Sequence, residues 1–147
     1  MKKKLLITTD CFLPRWDGIA RFLIELIPSL KDEFDIIVVA PKFEGELKEI
    51  PDVRVIRYPL LKWRFGDIYF SKPDKAELTK LIAQSDVVFN QTIGTIGIAS
   101  IKIAHRLGKP VISYVHSIEW ELASRAVRRM QQLIKKKEIP CRTISYY

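Results

Sequence analysis

The chain has 147 residues, 48% of them apolar and 29% charged, which is the size and composition of one folded domain and excludes a disordered chain. Its 25 Lys and Arg against 17 Asp and Glu leave a formal charge of +8. That balance points to a polyanionic partner (an anionic membrane, a phosphorylated substrate or a nucleic acid) or simply to a basic solvated surface. Two cysteines, Cys11 and Cys141, and two histidines, His105 and His116, show neither a disulfide framework nor metal-ligand spacing, so no metal is expected and a cytoplasmic location is.

Met1-Lys2-Lys3-Lys4 precedes an apolar run too short for a signal peptide, and Thr8-Thr9-Asp10 interrupts it. Residues 5–9 read as a first strand behind solvated lysines. After Gly18, Phe22, Leu23, Leu26, Ile27 and Leu30 recur at helical spacing. Residues 35–40 are a second apolar, β-branched run, and residues 53–57 alternate as a strand with one wet face does. The link between them carries little helix signal. Residues 61–70 interleave aromatic and basic side chains and read as a loop. Pro73 and Asp74 open a helix carrying Leu78, Leu81 and Ile82, with the proline in its first turn and the carboxylate complementing its dipole. Residues 86–89 make a fourth strand. Residues 96–107 are apolar nearly all round, which predicts a buried helix ended by Gly108 and Pro110. Residues 110–115 complete five strands, and a long last helix is expected over 118–137. No stretch is long and apolar enough to span a bilayer.

Strands alternating with helices give the α/β class: a doubly wound, mainly parallel, Rossmann-like sheet flanked by helices, a single domain over residues 1–147. The expected strand order places the third, second, first, fourth and fifth strands side by side. Ligands in such sheets bind beyond the carboxyl ends of the strands, where the winding reverses. Three loops are thereby nominated. In the first, Asp10 to Ala20, Gly18 lets backbone N–H groups approach a ligand at a helix start, or only turns the chain. It contains neither G-x-G-x-x-G nor a phosphate loop ending in G-K-[ST]. In the second, Asn90 to Gly97, Thr92 or Thr95 caps the next helix and small residues keep the crevice open. In the third, His116-Ser117-Ile118-Glu119, the imidazole sits at the crevice rim, where it can donate to a substrate oxygen or carry a proton. His105, near a helix end, reads as structural.

The stretch Thr9-Asp10-Cys11-Phe12-Leu13-Pro14-Arg15-Trp16-Asp17-Gly18-Ile19-Ala20-Arg21-Phe22-Leu23 resembles the opening of retaining glycosyltransferases of family 4, which have the GT-B fold. Members begin with a strand, a loop of the form F-x-P-x-x-G-G and a helix, and carry a histidine after a later strand, matched here in Tyr114-Val115-His116-Ser117. The resemblance spans about residues 1–130; Ile19 replaces the second glycine. It implies that the chain is the N-terminal, acceptor-side half of such an enzyme. A sugar would pass from a nucleotide-sugar donor, held by a second domain absent from this chain, to a lipid-linked or glycan acceptor, without metal or other cofactor. It further implies that Gly18 lies by the reacting sugar or its phosphate and that His116 is the catalytic or positioning group. Arg15, Asp17, Asn90, Thr92, Ser117 and Glu119 are the accompanying substrate contacts. Alone, the chain is expected to transfer no sugar. A second reading keeps the family and makes the chain a binding or membrane-tethering subunit that pairs with a separate catalytic chain. No nucleic-acid motif supports a nucleic-acid partner. The aromatic and basic loop 61–70, and a stripe of Trp120, Ala123, Val127, Met130 and Ile134 on the last helix, instead suggest a peripheral association with anionic membrane, the stripe serving equally as a core-facing side.

Overall fold

The computed structural model describes residues 1–47 and 49–116, together with Arg128 and Gln132. Ser117, Glu119 and the expected last helix, apart from Arg128 and Gln132, which are helical, lie outside the described residues.

Strand β1 (Lys3–Thr8) leads to helix α1 (Gly18–Leu30), β2 (Phe34–Pro41) and β3 (Val53–Tyr58). A short pair follows, β4 (Leu60–Phe65) and β5 (Ile68–Ser71), then α2 (Lys75–Gln84), β6 (Val87–Asn90), α3 (Thr95–Arg106) and β7 (Val111–Ser113). The main sheet is parallel throughout, in the order β3-β2-β1-β6-β7, as the sequence implies. Winding reverses between β1 and β6, so the ends of these two strands frame the crevice.

The two-residue period of β1 explains its burial on both faces. Leu5 and Ile7 join Ile36 and Val38 beneath Leu23 and Ile27 of α1. Leu6 points the other way, with Val39 and Val88, into Leu78, Leu81 and Ile82 of α2 and Ile96, Ile103 and Ala104 of α3. Asp17 caps α1 by accepting from Ala20 N at 2.8 Å. Asp74 caps α2, accepting from Ala76 N and Glu77 N at 2.9 and 3.0 Å, so Pro73 stands before the cap and not inside the first turn.

Three further expectations are corrected. Residues 61–70 are not a loop: β4 and β5 pair antiparallel around the two-residue turn Gly66-Asp67, with Gly66 at φ +57° as the first position of such a turn requires. Helix α3 is not buried all round, since Ile98 faces outward while Ile96, Gly97, Ser100, Ile103 and Ala104 face the sheet. The fifth strand is shorter than read and is an edge, which leaves Ile112 exposed because no neighbour covers that side among the described residues.

Candidate functional site

The crevice floor is a polar network joining β1, β6 and the start of α3. Asp10, just past β1, is 6% exposed and is its centre. One carboxylate oxygen accepts from Ile96 N at 2.8 Å and from Thr95 Oγ1 at 3.3 Å. The other accepts from Gly97 N at 3.1 Å and from Thr92 Oγ1 at 2.5 Å. Asp10 N donates back to Thr92 Oγ1 at 2.8 Å. Asp10 thus caps α3 from across the sheet, placing a negative charge where the helix dipole favours one. The cap residue Gly94 makes no side-chain hydrogen bond of its own, so neither Thr92 nor Thr95 is the expected cap.

Asn90 and Thr92, named in the sequence as substrate contacts, direct their polar groups inward. Asn90 Oδ1 accepts from Thr8 Oγ1 at 2.9 Å, and Asn90 Nδ2 donates to Thr92 O at 2.7 Å. Both residues are buried. The small residues of this loop serve contact and not openness. A Cβ on Gly94 would lie 2.4 Å from Asp10 Cγ, and one on Gly97 would lie 1.9 Å from the backbone oxygen of Thr92.

The rim differs. A Cβ on Gly18 would meet nothing within 4 Å, so the first turn of α1 is open to an approaching molecule. Asp17 beside it holds Ala20 N with Oδ1, and its Oδ2 lies 3.8 Å from Arg15 Nε. Arg15 turns away from the crevice to donate to Asp67 O at 2.9 Å, and its guanidinium lies over Tyr69, 4.9 Å from the ring centroid. Trp16, between them, is 63% exposed. Cys11 is no nucleophile: burial first, then the charge of Asp17, push its thiol up to about 12.

His116 lies at the rim as its position after β7 implies. Its Nε2 is 2.9 Å from Gln91 Oε1, and in the tautomer with the proton on Nε2 it donates to that oxygen and Nδ1 is the basic atom. The ring packs edge-on against Phe22 of α1 and against Tyr114, with centroids 4.9 and 4.7 Å apart. Burial lowers its pKa below the ordinary histidine value, opposed by the nearby charge of Asp17. The imidazole is therefore biased to its neutral form. Gln91 itself is 2% exposed, anchored by its N–H to Thr8 O at 2.9 Å. His105 ends α3, where Gly108 N donates to its carbonyl, away from this crevice.

The structure brings Asp17, Gly18 and His116 to one rim, turns Arg15 outward, and leaves Ser117 and Glu119 outside the described residues. Sequence reading missed Asp10 and Gln91. The signal for Asp10 was a carboxylate directly after a strand facing a glycine-bounded helix start. Gln91 offered none. A broad groove also runs along the β3 edge, lined by Leu47, Ile50, Arg54, Leu81 and Gln84, and contains none of the nominated residues. Among the described residues no group of His, Cys, Asp and Glu is arranged to hold a metal ion.

Solved structures similar to this chain include the C-terminal domain of a hydrogenase from Pyrococcus furiosus (13% identity, 77% of this chain and 91% of that one, TM-score 0.43). Another is phenylacrylic acid decarboxylase from Aquifex aeolicus (12% identity, 97% of this chain and 100% of that one, TM-score 0.35). No curated protein matches the chain. The profile of Glycosyltransferase Family 4 matches residues 16–142, from the exposed Trp16 through the first turn of α1 and past His116. With that match over most of its length, an all-parallel Rossmann-like sheet and a histidine at the crevice rim, the chain belongs to Glycosyltransferase Family 4.

Proposed function

We propose that this crevice is the acceptor side of a sugar transferase. The observation that carries the reading is His116, a neutral-biased imidazole whose Nδ1 has no hydrogen-bond partner among the described residues, packed on α1 beside the open backbone at Gly18. A free imidazole nitrogen accepts from a sugar or acceptor hydroxyl, and the Asp17 carboxylate is a second acceptor within the same rim. Trp16 adds an exposed aromatic face next to these polar groups.

The same geometry disfavours a diphosphate here. The N-terminus of α1, where a phosphate would otherwise bind, already holds the Asp17 carboxylate on Ala20 N, and like charges repel. The donor's nucleotide and diphosphate therefore belong to a second, donor-binding domain. The reaction is transfer of a sugar from a nucleotide-sugar to a glycan or lipid-linked acceptor, with His116 as acid–base or positioning group. By itself the chain holds the acceptor and does not turn over, because transfer needs both reactants held together and charge on the leaving phosphate stabilised.

Two measurements test this. In nuclear magnetic resonance titrations, glycan acceptors should shift signals of Asp17, Gly18 and His116, while uridine- and guanosine-diphosphate sugars should show no micromolar binding. In the enzyme completed by a donor-binding domain, His116→Ala should lower turnover by ~10²–10⁴. Micromolar donor binding by this chain, or near wild-type turnover of the variant, would refute the assignment.

A further inference from the structure

The β4–β5 hairpin has two unlike faces. In an antiparallel pair, directly opposed residues share a face and neighbours alternate. Arg64 opposes Tyr69, and Arg64 Nη1 donates to Tyr69 Oη at 2.7 Å. This face rests on the body of the domain: Tyr69 meets Phe43 edge-on, 5.3 Å between centroids, and Arg15 covers Tyr69 while holding the turn through Asp67 O. Phe65 opposes Ile68 on the other face, and there Trp63 stacks on Phe70 with centroids 4.4 Å apart. Trp63, Phe65 and Ile68 are 61, 61 and 56% exposed. A hairpin anchored on one side thus holds four apolar side chains outward on the other.

Charge says what covers this face. From Pro59 to Pro73 the chain carries Lys62, Arg64 and Lys72 against Asp67 alone, within a chain of formal charge +8. Lys62 and Arg64 alternate with Trp63 and Phe65 along β4, and all four are exposed. Protein interfaces are depleted of lysine at their centre. Aromatic residues interleaved with bases instead match the boundary between lipid headgroups and acyl chains, where the rings enter the interface and the bases meet anionic headgroups. The base of the hairpin is tied to the crevice: Ser71 N donates to Thr95 Oγ1 at 2.9 Å, at the start of α3.

We propose that the outward face of this hairpin, Trp63, Phe65, Ile68 and Phe70, docks on an anionic lipid surface, with the exposed Lys62 and Arg64 of the alternate positions extending past the strand edge to the headgroups. Docking there holds the end of the sheet that carries the crevice at the membrane. The inference stands apart from the sugar-transfer reading, since neither donor nor acceptor enters its test.

The test is co-sedimentation of the full chain with phosphatidylcholine vesicles, with and without phosphatidylglycerol. Binding should require phosphatidylglycerol and weaken as salt rises. Trp63→Ser with Phe65→Ser should lower partitioning about tenfold or more. Lys62→Gln with Arg64→Gln should lower it about thirtyfold, near fivefold for each base. Both pairs lie on exposed positions, so circular dichroism should be unchanged. In a chain whose other tryptophans are replaced (Trp16→Phe, Trp120→Phe), brominated lipid should quench Trp63. Undiminished binding by either pair of substitutions, equal binding to neutral vesicles, or an unquenched Trp63 would overturn the proposal. So would a wild-type chain that self-associates through this face, shown by concentration-dependent sedimentation that the Trp63→Ser, Phe65→Ser variant loses.

Discussion

Asp10→Ala removes the side chain that, among the described residues, links the end of β1 to the N-terminus of α3. Its carboxylate accepts from Ile96 N and Gly97 N, and both residues are buried. Without it, two buried N–H groups lose their partner, at about 1–3 kcal/mol each. Loss of the charge at the helix start adds about 0.3–1 kcal/mol. Relief of a buried charge and entry of water offset part of this, so a net loss of about 3–5 kcal/mol is expected. Against a total stability of about 5–15 kcal/mol for a domain, that is a severe change. Asp10→Asn keeps one carbonyl oxygen for one of the two N–H groups and should cost about half as much. Asp17→Ala removes a cap on a single N–H, Ala20 N, and should cost about 1 kcal/mol. Urea unfolding followed by circular dichroism gives all three values. A loss below about 1 kcal/mol for Asp10→Ala, or equal losses for Asp10→Ala and Asp17→Ala, would refute the view that Asp10 organises the crevice floor.

Two glycines should separate folding from binding. Gly97→Ala places a methyl group 1.9 Å from a backbone oxygen that cannot swing aside, and should lower stability by more than about 2 kcal/mol, whereas Gly18→Ala projects into open space and should change it by less than about 1 kcal/mol while weakening acceptor binding. His116 should show a pKa below its ordinary value of 6.5, and Asp17→Asn should move it lower still, because the Asp17 charge opposes the effect of burial. Both are read from the ring proton resonances. A histidine more easily protonated when unfolded gives stability that is complete above the unfolded value and is lost as pH falls toward the folded one. The urea midpoint should accordingly drop on acidification through that window, and His116→Gln should remove this component.

The sheet was legible because its central strands β1 and β2 are apolar on both faces and read as continuous apolar runs, because β3 alternates, and because each helix is opened by an aspartate or a glycine. The order of the strands follows from the short connections. The hairpin was not legible: Trp63, Arg64 and Phe65 alternate between the domain body and open space, a pattern of aromatic against basic that no apolar-against-polar template recognises. The rim was partly legible, since His116 and Gly18 stand at strand and helix ends. The floor was not. Asn90 and Thr92 are polar groups after a strand, as ligand contacts would be, and only the fold shows that Thr8 and Asp10 consume them. Sequence order puts Asp10 and Ile96 86 residues apart, and their contact depends on β1 and β6 being neighbours across the winding reversal.

That distribution has a consequence for specificity. A floor in which Asp10, Asn90 and Thr92 are paired with one another offers a ligand little beyond Gln91 Nε2, which is buried without a partner among the described residues, and it resists deformation, because opening it would orphan buried groups. Discrimination among acceptors must then arise at the rim, from His116, Asp17, Trp16 and the loops that carry them. Those loops are themselves fixed by side chains from elsewhere. Arg15 reaches the hairpin turn, and Arg57 donates to Leu13 O and to Pro41 O, the latter at 3.1 Å, clamping the loop before α1 against the end of β2. The Arg15 contact at the turn and the Ser71 N to Thr95 Oγ1 bond at the base thus join the hairpin to the loops beside the crevice at two points.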